Sequence, residues 1–225
     1  MITVHHLEHS RSQRILWLLE ELGLPYQIVQ YPRDPKTQLA PPALRAIHPL
    51  GKSPVIQDGE IVVAESAAIV EYLIDKAGGR LRPEPGTDAA RDYTYWTHFA
   101  EGSIMPFLVM TRVFDTIERA PVPWFAKPLV LPIAKGISAQ VKKTYIGPSL
   151  TSQLDYIEAW LSNRTWFCGE TVSGADIMMS FPLEAASTRV AQGNRYPSIA
   201  RYVKQMHAQP AYQRAIDKGG PLQLG

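Results

Sequence analysis

The sequence predicts a two-part fold, an α/β domain followed by an all-helical domain, and three observations predict it. Residues 1–80 alternate short β-branched runs with helical periodicity. A polar stretch bearing two prolines and a glycine, RLRPEPGTD at 80–88, then breaks the pattern. Everything beyond it carries helical spacing alone. The expected parts are an N-terminal domain over 1–80, a linker over 81–87 and a helical domain over 88–225.

Ile2 to Leu7 is short and β-branched, which predicts a strand. Ile15, Leu18, Leu19 and Leu22 share one helical face, with Gly23 as the C-terminal cap and Pro25 just beyond. YQIVQY, Tyr26 to Tyr31, reads as a second strand, and PRDPKTQLAPPALRAIHP as a loop with one short helix. SPVIQDGEIVVAES holds two short strands joined at Asp58-Gly59, because Asp-Gly suits the positive φ of a tight hairpin. From Ser66 a helix runs through Ile69, Val70, Leu73 and Ile74 to Gly78-Gly79. Past the linker, Asp88 to Phe114 reads as one long helix bent at Pro106. APVPWFAKPLVLPIAKGI, with four prolines and two lysines, reads as a loop or short helices that cover something. Leu150, Leu154, Ile157 and Leu161 mark a further helix, and Ser173 to Asp176 opens another as a capping box.

An apolar fraction of 45% over 225 residues is that of a globular protein with a real core. The 23 basic and 21 acidic residues are spread along the chain, leaving no broad field for nucleic acid or an anionic membrane. A small molecule or a protein is the expected partner. One cysteine, Cys168, excludes an internal disulfide framework and any CxxC pair, so the reducing cytoplasm is expected. MITVHHLEHS lacks a basic flank before an apolar core, so no secretory signal is expected.

Three histidines, one acid and two hydroxyls crowd into HHLEHSRS at 5–12. His5 and His6 alternate to opposite faces of a strand and do not join His9 around one ion, so no metal is expected and these read as packing or surface histidines. No GxSxG elbow marks a hydrolytic serine. Trp17 and Met178-Met179 read as core, Cys168 as a buried small hydrophobe, and Asp176 as the capping acid.

Four segments in order, HSRSQRILWLLEELGLPY, HPLGKSPVIQDG, ESAAIVEYL and GETVSGADIMMSF, give the chain a resemblance to the cytosolic glutathione transferase family over essentially its whole length, closest to serine-type bacterial and fungal members. The resemblance implies an α/β thioredoxin-like N-terminal domain plus an all-α C-terminal helical bundle. It implies glutathione as co-substrate, with a cis Pro54 turning the Ser53 backbone outward to pair with the peptide. Glu65 would meet the γ-glutamyl ammonium, Ser66 and the first amides of its helix the adjoining carboxylate, and Lys52 the glycyl carboxylate. Many relatives carry arginine after this serine and this chain has Ala67. Ser10, with Ser12 as the alternative, would donate a hydrogen bond to the glutathione sulfur, and Arg11 would add positive potential. The electrophile pocket is expected at Ser103, Phe107 and Met110. The implied activity is conjugation of glutathione to small hydrophobic electrophiles or reduction of organic peroxides; a glutathione-dependent disulfide reductase or isomerase and a non-catalytic binding module are the alternatives. A homodimer near 50 kDa, about twice the 25.1 kDa chain, is expected to use Tyr93, Tyr95, Trp96 and Phe99 of the helix from Asp88.

Overall fold

The computed structural model describes residues 1–189 and 195–222. The first part runs β1 (Ile2–Leu7), α1 (Ser12–Leu22), β2 (Tyr26–Tyr31), α2 (Pro42–Ile47), β3 (Val55–Asp58), β4 (Ile61–Ala64) and α3 (Ser66–Lys76). Its strands form one mixed sheet in the order β2-β1-β3-β4, so this is a thioredoxin-like domain. β1 and β2 pair in parallel, Ile2 opposite Tyr26 through Leu7 opposite Tyr31, because α1 provides the crossover that parallel neighbours require. β3 then runs antiparallel to both β1 and β4. As an inner strand β1 is buried at nearly every residue, which is why apolar and histidine side chains share it.

Local chemistry sets the boundaries. Gly23 ends α1 in the left-handed region at φ 62°, its N–H bonded to Leu19 O. The β3–β4 hairpin turns one residue later than expected, at Gly59-Glu60, because Asp58 completes β3 opposite Ile61 and only Gly59 takes positive φ.

The second part is helical: α4 (Asp88–Phe99), α5 (Met105–Glu118), α6 (Lys127–Val141), α7 (Gly147–Leu161), α8 (Gly174–Arg189), α9 (Pro197–His207) and α10 (Pro210–Gly219). Three expectations change here. The long helix from Asp88 is interrupted by a π-helical turn over Ala100–Ile104, and Pro106 follows it as the second residue of α5, the chain staying helical across the join with Met105 N–H bonded to Ala100 O. APVPWFAKPLVLPIAKGI is not a run of short helices. Its Lys127–Val141 portion is one helix, with Pro128 in the first turn and Pro132 inside it at the loss of one bond, that to Pro128 O, and Leu129, Ile133 and Ile137 stay 55–70% exposed. At Ser173 the box is rearranged: the Ser173 hydroxyl donates to Asp176 Oδ2 at 2.7 Å, while Asp176 does reach back to the Ser173 N–H at 2.9 Å. Asp176 also accepts from Phe167 N at 2.9 Å and Tyr202 Oη at 3.2 Å, and burial pushes its carboxyl up to about 6 against those donors.

Trp96 centres the helical core, fully buried, its ring 4.7 Å from Phe167 and 5.1 Å from Phe99. The two parts meet where a side chain would not fit. A Cβ at Gly174 would stand 2.7 Å from both Ile74 Cδ1 and Tyr93 Oη, so a glycine lets α8 close on α3 and α4. Trp17, Met178 and Met179 lie in this shared core, and Cys168 is half-buried with its thiol pushed up to about 12 by burial. Finally α10 returns to α1, with Tyr212 edge-on to Trp17 at 5.5 Å.

Candidate active site

Between β1 and α1 the chain makes a tight turn that presents Ser10. His9 takes φ 49°, a region that side chains enter only when the surroundings hold them there. Arg33 supplies that hold: its Nε donates to Glu8 O at 3.1 Å and its Nη2 to His9 O at 3.3 Å, while its own N–H donates to Glu8 Oε1 at 2.7 Å. Ser10 is 6% exposed and receives the start of α1, Ser12 N–H on its Oγ at 3.2 Å and Gln13 N–H on its carbonyl at 3.2 Å. The positive end of the helix is thus directed onto Ser10. Ser12 is fully buried, and its Oγ lies 2.8 Å from His6 Nδ1. It is the first helical residue rather than the cap, since Arg11 holds the cap position and makes no side-chain capping bond.

The Ser53–Pro54 peptide is cis, immediately before β3. The Ser53 hydroxyl donates to His5 O at 3.1 Å, receives Leu7 N–H at 3.4 Å, and lies 3.4 Å from Ser10 Oγ. One side chain therefore fastens the cis turn to the end of β1 and brings Ser10 beside it. Lys52 is exposed next to this turn. Glu65 stands at φ 74° and caps α3 through its carbonyl, which accepts Ile69 N–H at 2.9 Å; its side chain makes no capping bond and is exposed. Ser66, 4% exposed, opens α3, so the first amides of that helix lie beside a carboxylate and a hydroxyl.

Two arginines of the first turns of α1 face the helical domain. Arg11 Nε is 3.4 Å and Arg14 Nη1 3.0 Å from Glu101 Oε1, on the π-helical turn. These pairings are coulombic, because Glu101 Oε1 makes no aligned hydrogen bond. Arg14 also donates to Met178 O at 3.1 Å. Burial pushes its guanidinium down to about 10, against the pull of Glu101, which still leaves it a cation at neutral pH.

Of the three residues expected in the electrophile pocket, Ser103 lies on the π-helical turn and Phe107 and Met110 lie on α5. Phe107 packs 5.6 Å from Tyr145, and Ser103 and Met110 are half-buried on the same side. Arg112, whose charge acts on Arg33 of the first domain, lies about 140° around α5 from Phe107 at about 100° per residue.

His5 and His6 do point to opposite faces. His5 Nδ1 and Nε2 are bonded to Tyr31 Oη and Gln57 Oε1, both at 2.9 Å, and His6 is bonded to Ser12. Among the described residues no three His, Cys, Asp or Glu side chains gather as a metal site. A cavity of about 450 Å³ lies among α8, α9 and α10, lined by Glu184, His207, Tyr212 and Leu222, and shares no residue with the Ser10 turn. Sequence reasoning missed Arg14, Glu101 and Gly219. Arg14 had a signal, a charge one turn before Leu18 on an apolar helical face; the other two had none.

Comparison with known proteins agrees on one family. The glutathione S-transferase N-terminal domain model matches residues 10–76 and the C-terminal domain model residues 133–210. Glutathione S-transferase 3 of Schizosaccharomyces pombe is 37% identical over 97% of this chain and 88% of its own length. Glutathione S-transferase 1 of Saccharomyces cerevisiae is 33% identical over 99% of this chain and 97% of its own. The crystal structure of a glutathione S-transferase from Actinobacillus pleuropneumoniae, 35% identical, covers 100% of this chain and 95% of its own with a TM-score of 0.79.

Proposed function

The chain belongs to the glutathione S-transferase family, and from that premise we propose that it holds glutathione along the cis Ser53–Pro54 turn and activates its sulfur as a thiolate at Ser10. The observation that carries this reading is the 3.4 Å approach of Ser10 Oγ to Ser53 Oγ. A peptide paired with the Ser53 backbone extends past a hydroxyl that already receives a helix amide, and such a hydroxyl is a stronger donor to a developing anion. A free thiol of pKa about 8.5 is mostly protonated at neutral pH, and each unit of lowering corresponds to about 1.4 kcal/mol in favour of the thiolate. Ser10 is thus a donor and the sulfur the nucleophile. Glu65 and Ser66 meet the zwitterionic γ-glutamyl end, and Lys52 the glycyl carboxylate. Arg11 and Arg14 add positive charge on the helical side of the turn.

The reaction is attack of that thiolate on a small apolar electrophile, or on the O–O bond of an organic peroxide. The working units are 1–80, which binds the peptide, and 88–225, which faces the electrophile, joined by 81–87. The protein works as a cytoplasmic homodimer. The test is retention on immobilised glutathione followed by turnover of a chlorinated nitroaromatic; turnover supports the reading, and retention without turnover of any electrophile replaces it with a binding module.

A further inference from the structure

Behind Ser10, a file of hydrogen bonds runs through the first domain to the last helix, with longer side branches of 3.4 Å from Ser10 Oγ to Ser53 Oγ and from Ser12 Oγ to Leu7 O. Ser10 Oγ is 2.7 Å from Ser12 Oγ, Ser12 Oγ is 2.8 Å from His6 Nδ1, and His6 Nε2 is 3.0 Å from the carbonyl of Gly219 at the end of α10. All three side chains are nine-tenths buried or more. Gly219 is needed for the last link, because a Cβ there would stand 2.4 Å from Leu16 Cδ1 and 2.7 Å from Gln13 Oε1.

The proton positions follow from which atoms can donate. A carbonyl only accepts, so His6 Nε2 carries a hydrogen. Burial lowers the affinity of the ring for a second proton; the Gly219 bond opposes that lowering and the charge of His9 adds to it. At neutral pH Nδ1 is therefore a lone pair, and the Ser12 hydroxyl donates to it. Ser12 Oγ then accepts from Ser10. At rest the Ser10 proton points inward, towards a neutral base.

We propose that His6 takes the thiol proton of bound glutathione through Ser12 and Ser10, and so sets the direction of the Ser10 hydroxyl. The inference rests on the reading that Ser10 meets the sulfur. As the S–H bond breaks, its proton passes to Ser10 Oγ, the Ser10 proton to Ser12 Oγ, and the Ser12 proton to His6 Nδ1. The number of protons is unchanged, and the products are a thiolate and an imidazolium, whose opposite charges attract along the file and offset the burial that disfavours the charged ring. Every bond in the file is now reversed: His6 donates to Ser12, Ser12 to Ser10, and Ser10 to the sulfur. After the electrophile is attacked, His6 returns its proton to the leaving product or to solvent by the same route. His6 touches no substrate and is a positioning residue. Its surroundings are Gln13 and Leu16 of α1, Gly219 of α10, and His9 of its own loop. Glu20 of α1 and Arg214 and Lys218 of α10 are paired with one another.

Two variants separate a proton acceptor from a brace. His6→Asn keeps an oxygen that accepts from Ser12 but holds no proton. Ser12→Ala cuts the file and leaves His6 in place. With saturating glutathione in weak buffer, thiolate is read from its ultraviolet band and released protons from an indicator dye. Wild-type protein should release fewer protons than the thiolate it forms. Both variants should release one proton per thiolate and lower kcat about tenfold or more, with the glutathione KM within about twofold. The double variant should lose no more than either single one. One-to-one release in the wild type, or an unchanged thiolate titration in both variants, overturns the relay while a defective Ser10→Ala leaves the transferase reading standing. Absence of any thiolate in wild-type protein with bound glutathione overturns both.

Discussion

In the proposed mechanism a single hydroxyl, that of Ser10, separates binding from activation. Ser10→Ala should leave glutathione affinity nearly intact, because the tripeptide is held by backbone and end-group contacts, and should lower turnover about 10²–10³-fold. Titrating the thiolate band of the complex checks it, and an unchanged thiol pKa in the variant moves the role away from Ser10. Glu65→Gln should do the reverse. Its exposed carboxylate meets only the ammonium of the ligand, so affinity should fall by about 2 kcal/mol with little change in the saturated rate, as read by calorimetric titration. Both candidates were picked from the sequence, by the family resemblance together with their places at a strand-to-helix junction and before a helix. The choice between Ser10 and Ser12 was not legible there. It turns on His6, which the strand pattern places on one face but which only the folded chain pairs with Ser12 Oγ and with a carbonyl 213 residues away.

At the scale of elements, α10 depends on a clamp against α1. Glu20 Oε2 accepts from Arg214 Nε at 2.7 Å, and Glu20 Oε1 accepts from Lys218 Nζ at 2.5 Å and Tyr26 Oη at 2.7 Å. Burial opposes ionisation of Glu20, but these donors outweigh it and hold the carboxyl at about 2. A lowered carboxyl stabilises the folded state fully above its unfolded value near 4.5, and the contribution disappears as the pH falls through about 2. Arg214 and Lys218 are half exposed, so solvent screening keeps the contribution of this carboxylate to about 2 kcal/mol. Glu20→Gln should therefore lower stability at pH 7 and flatten the acid limb between pH 4.5 and 2, measured by urea titration at several pH values. Equal acid limbs in the two proteins would assign the clamp no energy. Helix periodicity revealed α1 and α7, because one apolar stripe faces one core. It misjudged α6, where Pro128 sits in the first turn and Pro132, inside the helix, costs a single bond, and it did not foresee the π-helical turn before Pro106, which has no apolar period of its own.

The whole molecule shows why composition revealed two parts but not how they join. The linker announces itself by proline, glycine and charge, whereas the joints are pairings between distant residues, such as Arg14 with Glu101 and Glu20 with Lys218, 198 positions apart. The same gap affects the dimer. Of the four aromatics expected at its interface, Tyr93, Trp96 and Phe99 are at most 9% exposed, taken up by the core of their own chain, and only Tyr95 is open at 47%. The open apolar surface instead follows the α5–α6 hairpin, where Val113 and Ile117 of one helix and Leu129, Ile133 and Ile137 of the other are 42–70% exposed. A face of that kind is too apolar for a free helix pair, and a two-fold copy of it is self-complementary without any other partner. A stable interface of about 1,200–2,000 Å² centred there should give a particle near 50 kDa, about twice the 25.1 kDa chain. Ile133→Lys combined with Ile137→Lys places two like charges on each side of the two-fold, without touching the buried face of α6, and should yield a folded monomer. Light scattering at micromolar concentration distinguishes the outcomes. A wild-type protein that stays at the monomer mass, with glutathione turnover intact, would show that the hairpin face needs no second copy; a lysine variant that remains dimeric would place the interface at Tyr95 and the neighbouring exposed Tyr156.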